Sequence, residues 1–225
     1  MDGDARFLSH RDVMRLWSRA AVRAGLSMAY SQGFNPHPKV SLPAPRPVGV
    51  ASRCELAVLH LASPPAQSDW AEGLDGQLPP GMRVLRAAPA PGRRAIQPKA
   101  ITYELPLRDD ESGEIVRRIA HLTRQDRWEV ARPIRTRRRD RRNKTLDIKP
   151  RVVDTHVVGG RLTFTLLSGT GGSARPAEVL ALLGMDEPDP AGEHSRAADA
   201  LSRLVRTRLA CDSPPDNTQT SKERT

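Results

Sequence analysis

Residues 88–99 contain Pro89, Pro91, Gly92 and Pro98 and no periodic apolar pattern. Proline fixes φ and withholds an N–H, so neither a regular helix nor a central strand runs through such a segment. The break divides the 225 residues into two stretches, each long enough to bury a core without a disulfide staple. The sequence therefore predicts two compact halves, 1–88 and 100–210, joined by a linker at 89–99.

Within the first half, residues 9–25 carry Val13, Met14, Trp17, Ala20, Ala21 and Ala24 at helical spacing. Ser9 suits the N-cap, Asp12 adds negative charge to the first turn, and Gly25 suits a left-handed stop. Runs at 39–48 and 53–62 read as strands joined through 49–52, with Pro43, Pro45 and Pro47 confining the first to an edge. A short helix at 70–77 and a strand at 82–87 follow. That order is the split βαβ, ferredoxin-like one.

The second half repeats the theme. Residues 101–107 alternate as a strand, 113–122 read as a helix, and a strand begins at 128–131. Segments 146–158 and 161–167 flank Gly159-Gly160, a strong hairpin signal. Helices are expected at 176–183, with proline in the first turn, and at 195–210. The polar, proline-containing tail at 211–225 reads as disordered. The predicted fold is α+β, two ferredoxin-like subdomains with antiparallel sheets.

Charge points to partners rather than to fold. The formal net charge is +10 and the isoelectric point about 10.6, which favours polyanions, RNA foremost, although arginine-rich coding bias gives the same excess. Arg11, Arg15, Arg19 and Arg23 recur every fourth residue and form a cationic stripe on the first helix, the pattern of a phosphate-holding face or of a solvated one. Between 132 and 144 lie Arg132, Arg135, Arg137, Arg138, Arg139, Arg141, Arg142 and Lys144, relieved only by Asp140. Such density repels itself and reads as an exposed basic insert, least strained opposite a polyanion, or as a solubilising loop.

The ten residues 30–39, YSQGFNPHPK, form the most unusual segment. Pro36 and Pro38 push Asn35 and His37 toward extended geometry, and Gly33 can take a positive φ. Tyr30 and Phe34 are placed to stack on unpaired bases, with Gln32, Asn35, His37 and Lys39 contacting base edges, sugars or phosphates. The alternative is a demanding loop whose polar groups satisfy its own backbone. His10 and His37 invite an acid–base pairing because imidazole titrates nearest neutrality, a reading that needs the two close in space. Gly171, Gly172, Ser173 and Arg175 precede a helix and suit an anion at its start, with Ser173 as N-cap; a plain glycine turn reads equally well. The six histidines are dispersed and no cysteine pair sits at ligand spacing, so neither a metal nor a cofactor is expected. Two distant cysteines, Cys54 and Cys211, together with the lack of any apolar run of membrane-spanning length, give the expectation of a cytoplasmic protein.

The strings RFLSHRDVM (6–14), AYSQGFNPHPK (29–39), PVGVA (47–51), LPPGMRV (78–84), DIKP (147–150) and GGSARP (171–176) resemble the radical-SAM-linked domain family of unknown function. The resemblance implies a protein encoded beside, or fused to, a B12-binding radical SAM protein, with no settled reaction. It also implies a complete basic strand before the RFLSH string, where this chain has only five residues, so the first strand is expected to be clipped. A radical SAM iron–sulfur cluster wants three closely spaced cysteines and this chain has two in all, so it is not itself such an enzyme. The layout also resembles, in architecture alone, the ferredoxin-like RNA-processing proteins of CRISPR systems. The expectation is an accessory protein binding transfer or ribosomal RNA and acting with a radical SAM enzyme in trans. Two other readings stay open: a metal-free RNA-processing enzyme using His10 and His37, and a protein adaptor for the radical SAM partner.

Overall fold

The computed structural model describes residues 1–90, 96–135, 141–168, 173–186 and 196–211. The fold is α+β, as expected, and its residues form two compact units. One is built mainly from Met1–Val48 and Glu55–Pro98, the other from Gly49–Cys54 and Lys99–Leu209.

In the first unit a 3-10 helix, Gly3–Phe7, leads into α1, His10–Arg23. Ser9 caps α1 as predicted, its Oγ accepting the Asp12 N–H at 3.2 Å. The helix ends where the sequence indicates: Gly25 takes φ +71°, its N–H reaches Val22 O, and the Leu26 N–H reaches back to Ala21 O. That pairing satisfies two carbonyls at the helix end and turns Leu26 into the core. Trp17, Ala20 and Ala21 face inward and pack with Leu26, Met28, Val40, Leu74 and Met82. Strand β1, Val40–Ser41, pairs antiparallel with Val58–Leu59, numbered β3 because β2, Ala51–Ser52, precedes it. Bridges Met28↔Leu61 and Tyr30↔Pro38 extend this narrow ladder. The long strands expected at 39–48 and 53–62 thus shrink to two residues each, since Pro43, Pro45 and Pro47 cannot donate to a ladder. Helix α2, Trp70–Asp75, follows. No strand forms at 82–87; there Met82 fills the core and the Val84 N–H is taken by the Asp75 carboxylate.

The second unit carries β4, Pro98–Pro106; α3, Asp109–Arg124; the hairpin of β5, Glu129–Arg135, and β6, Arg141–Asp147; then β7, Val152–Val158, and β8, Arg161–Leu167. Helices α4, Pro176–Leu182, and α5, Arg196–Arg203, precede β9, Val205–Cys211. The five-stranded sheet runs β2-β9-β4-β8-β7. Its strands β4, β7, β8 and β9, with helices after β4 and after β8, are compatible with the split βαβ order. Tyr103, Leu105, Leu162 and Phe164 line its buried face, and Tyr103 stacks on Phe164 at 5.5 Å between ring centroids.

Two expectations change here. Segment 49–52 is not a hairpin connection, because Ala51–Ser52 joins β9 in parallel, Ala51 opposite Val205, and so makes the sheet mixed rather than antiparallel. The helix expected at 195–210 stops at Arg203, and Val205 onward is a strand. Residues Val205, Thr207 and Leu209 alternate with arginines there, a period of two that the neighbouring helical pattern concealed. The tail from 212 onward lies outside the described residues. Among the described residues no helix is long and apolar enough to cross a membrane.

Candidate nucleic-acid interface

The 30–39 loop is a hairpin tip closed at its base by the Tyr30↔Pro38 bridge. Inside it the Ser31 N–H donates to His37 O at 2.9 Å, and the His37 N–H donates to Ser31 Oγ at 3.1 Å. His37 Nδ1 lies 3.0 Å from Ser31 Oγ and 3.3 Å from Asn35 O. Ser31 and His37 therefore act largely on the loop's own backbone. The residues between them are left facing solvent: Gln32, Phe34 and Asn35 are exposed, and Phe34 is 104% exposed, as open as in an extended peptide. Gly33 takes φ +123°, which lets the chain turn before Phe34 where a side chain would be strained. Tyr30 is 46% exposed and Lys39 is exposed.

In the same unit Arg11, Arg15 and Arg19 are exposed on α1. Arg15 Nη1 lies 3.7 Å from Asp12 Oδ1, a pairing too exposed to consume its charge. Arg23, the fourth of the stripe, turns away and bonds Gln77 through Nε at 3.0 Å and through Nη2 to the Gln77 carbonyl at 2.8 Å. His10 opens α1 and lines a cavity of about 20 Å³ with Leu42, Arg46 and Glu55. That volume holds about one water and no substrate. His10 and His37 thus have different neighbours, and no hydrogen bond joins them among the described residues.

The basic insert is a two-stranded ribbon, β5 paired with β6 from Glu129↔Asp147 through Arg132↔Lys144 to Arg135↔Arg141. Arg142 faces Ile134 in this ladder. Arg137, Arg138 and Arg139 lie outside the described residues. Arg132 is not directed to solvent. Its Nε and Nη2 each donate to the Glu178 carboxylate at 2.7 Å, and Nη2 also reaches Ser173 O at 3.0 Å. The hydrogen-bonded carboxylate holds the Arg132 guanidinium more firmly protonated than usual, against the opposing effect of burial.

The predicted anion site at the start of α4 is built differently from the expectation. Arg175, not Ser173, is the N-cap, and its N–H donates to Glu178 Oε2 at 2.8 Å. The chain's own carboxylate occupies the position where an anion would sit. Gly171 and Gly172 lie outside the described residues. The Arg132–Glu178 pair went unread in the sequence. Its one trace is Glu178 at the third position after the cap, where a carboxylate regularly turns back.

A family model described as "Uncharacterized protein conserved in bacteria (DUF2344)" matches residues 1–176. No curated protein and no solved structure matches the chain.

Proposed function

We propose, on the premise that this chain belongs to the DUF2344 family of uncharacterized bacterial proteins, that it is an accessory RNA-binding protein. Its RNA is transfer or ribosomal, and the protein acts with a radical SAM enzyme in trans. The observation that carries this reading is Phe34, wholly exposed at the tip of a loop that Ser31 and His37 close on itself. A fully exposed phenylalanine contributes nothing to the fold's core, whereas its face is available to an unpaired base. The exposed Arg11, Arg15 and Arg19 in the same unit supply charge for phosphates. The radical SAM partner is argued from the family resemblance alone, and with two cysteines the cluster chemistry would fall to that partner.

The test is fluorescence anisotropy with bulk transfer RNA and ribosomal RNA fragments, run beside a cleavage assay in EDTA. Binding without cleavage supports the accessory role. Cleavage lost in both His10→Ala and His37→Ala would move the assignment to a metal-free nuclease. Capture of a radical SAM partner without RNA affinity would leave an adaptor.

A further inference from the structure

The 30–39 loop uses its polar side chains unevenly. Ser31 and His37 bond to each other and to the loop's backbone. Asn35 does not. Asparagine in a turn commonly satisfies nearby backbone through its side chain, yet among the described residues the Asn35 carboxamide makes no hydrogen bond, and the residue is exposed. Its main-chain carbonyl is engaged instead, 3.3 Å from His37 Nδ1.

Two features fix where that carboxamide stands. Pro36 keeps Asn35 out of the helical region, and the His37 ring, 3.0 Å from Ser31 Oγ, lies against the Asn35 carbonyl. Gln32 is exposed as well, but Gly33 follows it at φ +123° and no hydrogen bond among the described residues holds it. Asn35 also adjoins Phe34, the wholly exposed ring. Neighbouring Cα atoms are about 3.8 Å apart, so a base stacked on Phe34 has its edge within reach of the Asn35 side chain.

A carboxamide sets an acceptor beside a donor. Adenine matches that pair on its N6–N7 edge, where guanine shows two acceptors, cytosine a donor alone, and uracil, like thymine, an acceptor alone. On the pairing edge every base sets a donor beside an acceptor, so adenine alone suits the carboxamide from both edges. Residues 30–38 include no arginine, lysine, aspartate or glutamate, the side chains that suit guanine and cytosine.

We infer that the loop tip reads one unpaired adenine in a single-stranded segment of RNA: the base stacks on Phe34, Asn35 bonds its edge, and Ser31 and His37 are positioning residues that hold Asn35. The inference rests on the RNA-binding reading above and adds a base identity to it. Arg11, Arg15 and Arg19, the phosphate contacts of that reading, serve every sequence alike.

The experiment measures fluorescence anisotropy of the full chain with four single-stranded RNAs, runs of U identical but for one central base, A, G, C or U. Wild type is expected to bind the A strand about tenfold more tightly than the other three, the discrimination of one bidentate pair. Asn35→Ala is expected to level the four. Asn35→Asp exchanges the donor for a second acceptor and is expected to move the preference to C, a change that poor folding does not produce. Ser31→Ala is expected to lower the preference for A, and Ser31→Thr, which keeps the hydroxyl, to restore it. Arg15→Ala is expected to weaken all four equally and to lower the salt slope by about 0.7, one single-strand phosphate contact. Thermal melts check that each variant folds. No base preference in wild type, a preference for another base, or a preference for A that survives Asn35→Ala would overturn the adenine site. Continued binding to bulk transfer or ribosomal RNA would then leave the RNA-binding reading standing, and no binding to those RNAs either would overturn both.

Discussion

At the scale of single residues the 30–39 loop divides into side chains that shape it and side chains that it presents. Ser31 and His37 close the 30–39 loop on itself, and Phe34 is what that closure displays. Phe34→Ala is accordingly expected to leave the melting temperature unchanged and to weaken RNA binding by about 1–3 kcal/mol, the contribution of one stacked base. Its salt slope should stay that of wild type, since no phosphate contact is lost. A drop in slope would mean that Phe34 acts by placing arginines instead. The loop was legible in sequence because Gly33, Pro36 and Pro38 leave few conformations for the chain between them. The latch was not, since nothing local distinguishes a serine facing solvent from one bonded to a histidine six residues on.

At the scale of elements, α3 and α5 are joined by charge. Arg203 donates to Glu111 through Nη2 at 2.7 Å and Nη1 at 3.0 Å, and its Nε reaches Asp199 at 3.0 Å. Burial pushes the Glu111 carboxyl up, but the Arg203 guanidinium and the Arg108 N–H together outweigh it and hold the carboxyl below its ordinary range. A carboxyl lowered in the folded state contributes stability above its unfolded value, and that contribution fades as pH falls through the folded one. Glu111→Gln should therefore lower the melting temperature at neutral pH, with the gap from wild type closing as the solution is acidified toward pH 3; a gap constant with pH would remove this ion pair from the account. The α5–β9 boundary is hidden by the helical pattern before it, and nothing in the sequence marks Arg206 as a core residue. In the fold it is fully buried, its guanidinium 5.8 Å from the Tyr103 ring centroid and Nη2 3.4 Å from Tyr103 Oη. By contrast α1, with its cap, apolar spacing and glycine stop, was readable from end to end, because every determinant is local.

At the scale of the whole molecule the expected first half, 1–88, lends Gly49–Cys54 to the second unit. The Ala51 N–H donates to Leu204 O at 3.1 Å and the Arg53 N–H to Arg206 O at 2.9 Å, so β9 is completed by a strand distant in sequence. Arg53→Pro removes one of these donors and should destabilise the protein by about 1–3 kcal/mol, while Arg53→Ala, which keeps the N–H, should be nearly neutral in a urea melt. Equal effects of the two would assign the loss to the side chain. Such parallel, long-range pairing leaves no local trace: residues 49–52 have the composition of a turn, and only the edge of β9 makes a strand of two of them.

The exposed loop and the cationic surface of α1 are proposed to recognise RNA. Equilibrium binding of the purified chain to transfer RNA, ribosomal RNA fragments and duplex DNA across a salt series tests this most directly. The account predicts a preference for one RNA class that persists above roughly physiological salt, about 0.15 M. Weak binding that is equal for all three and vanishes with added salt would contradict it, reducing the +10 charge to an unspecific background.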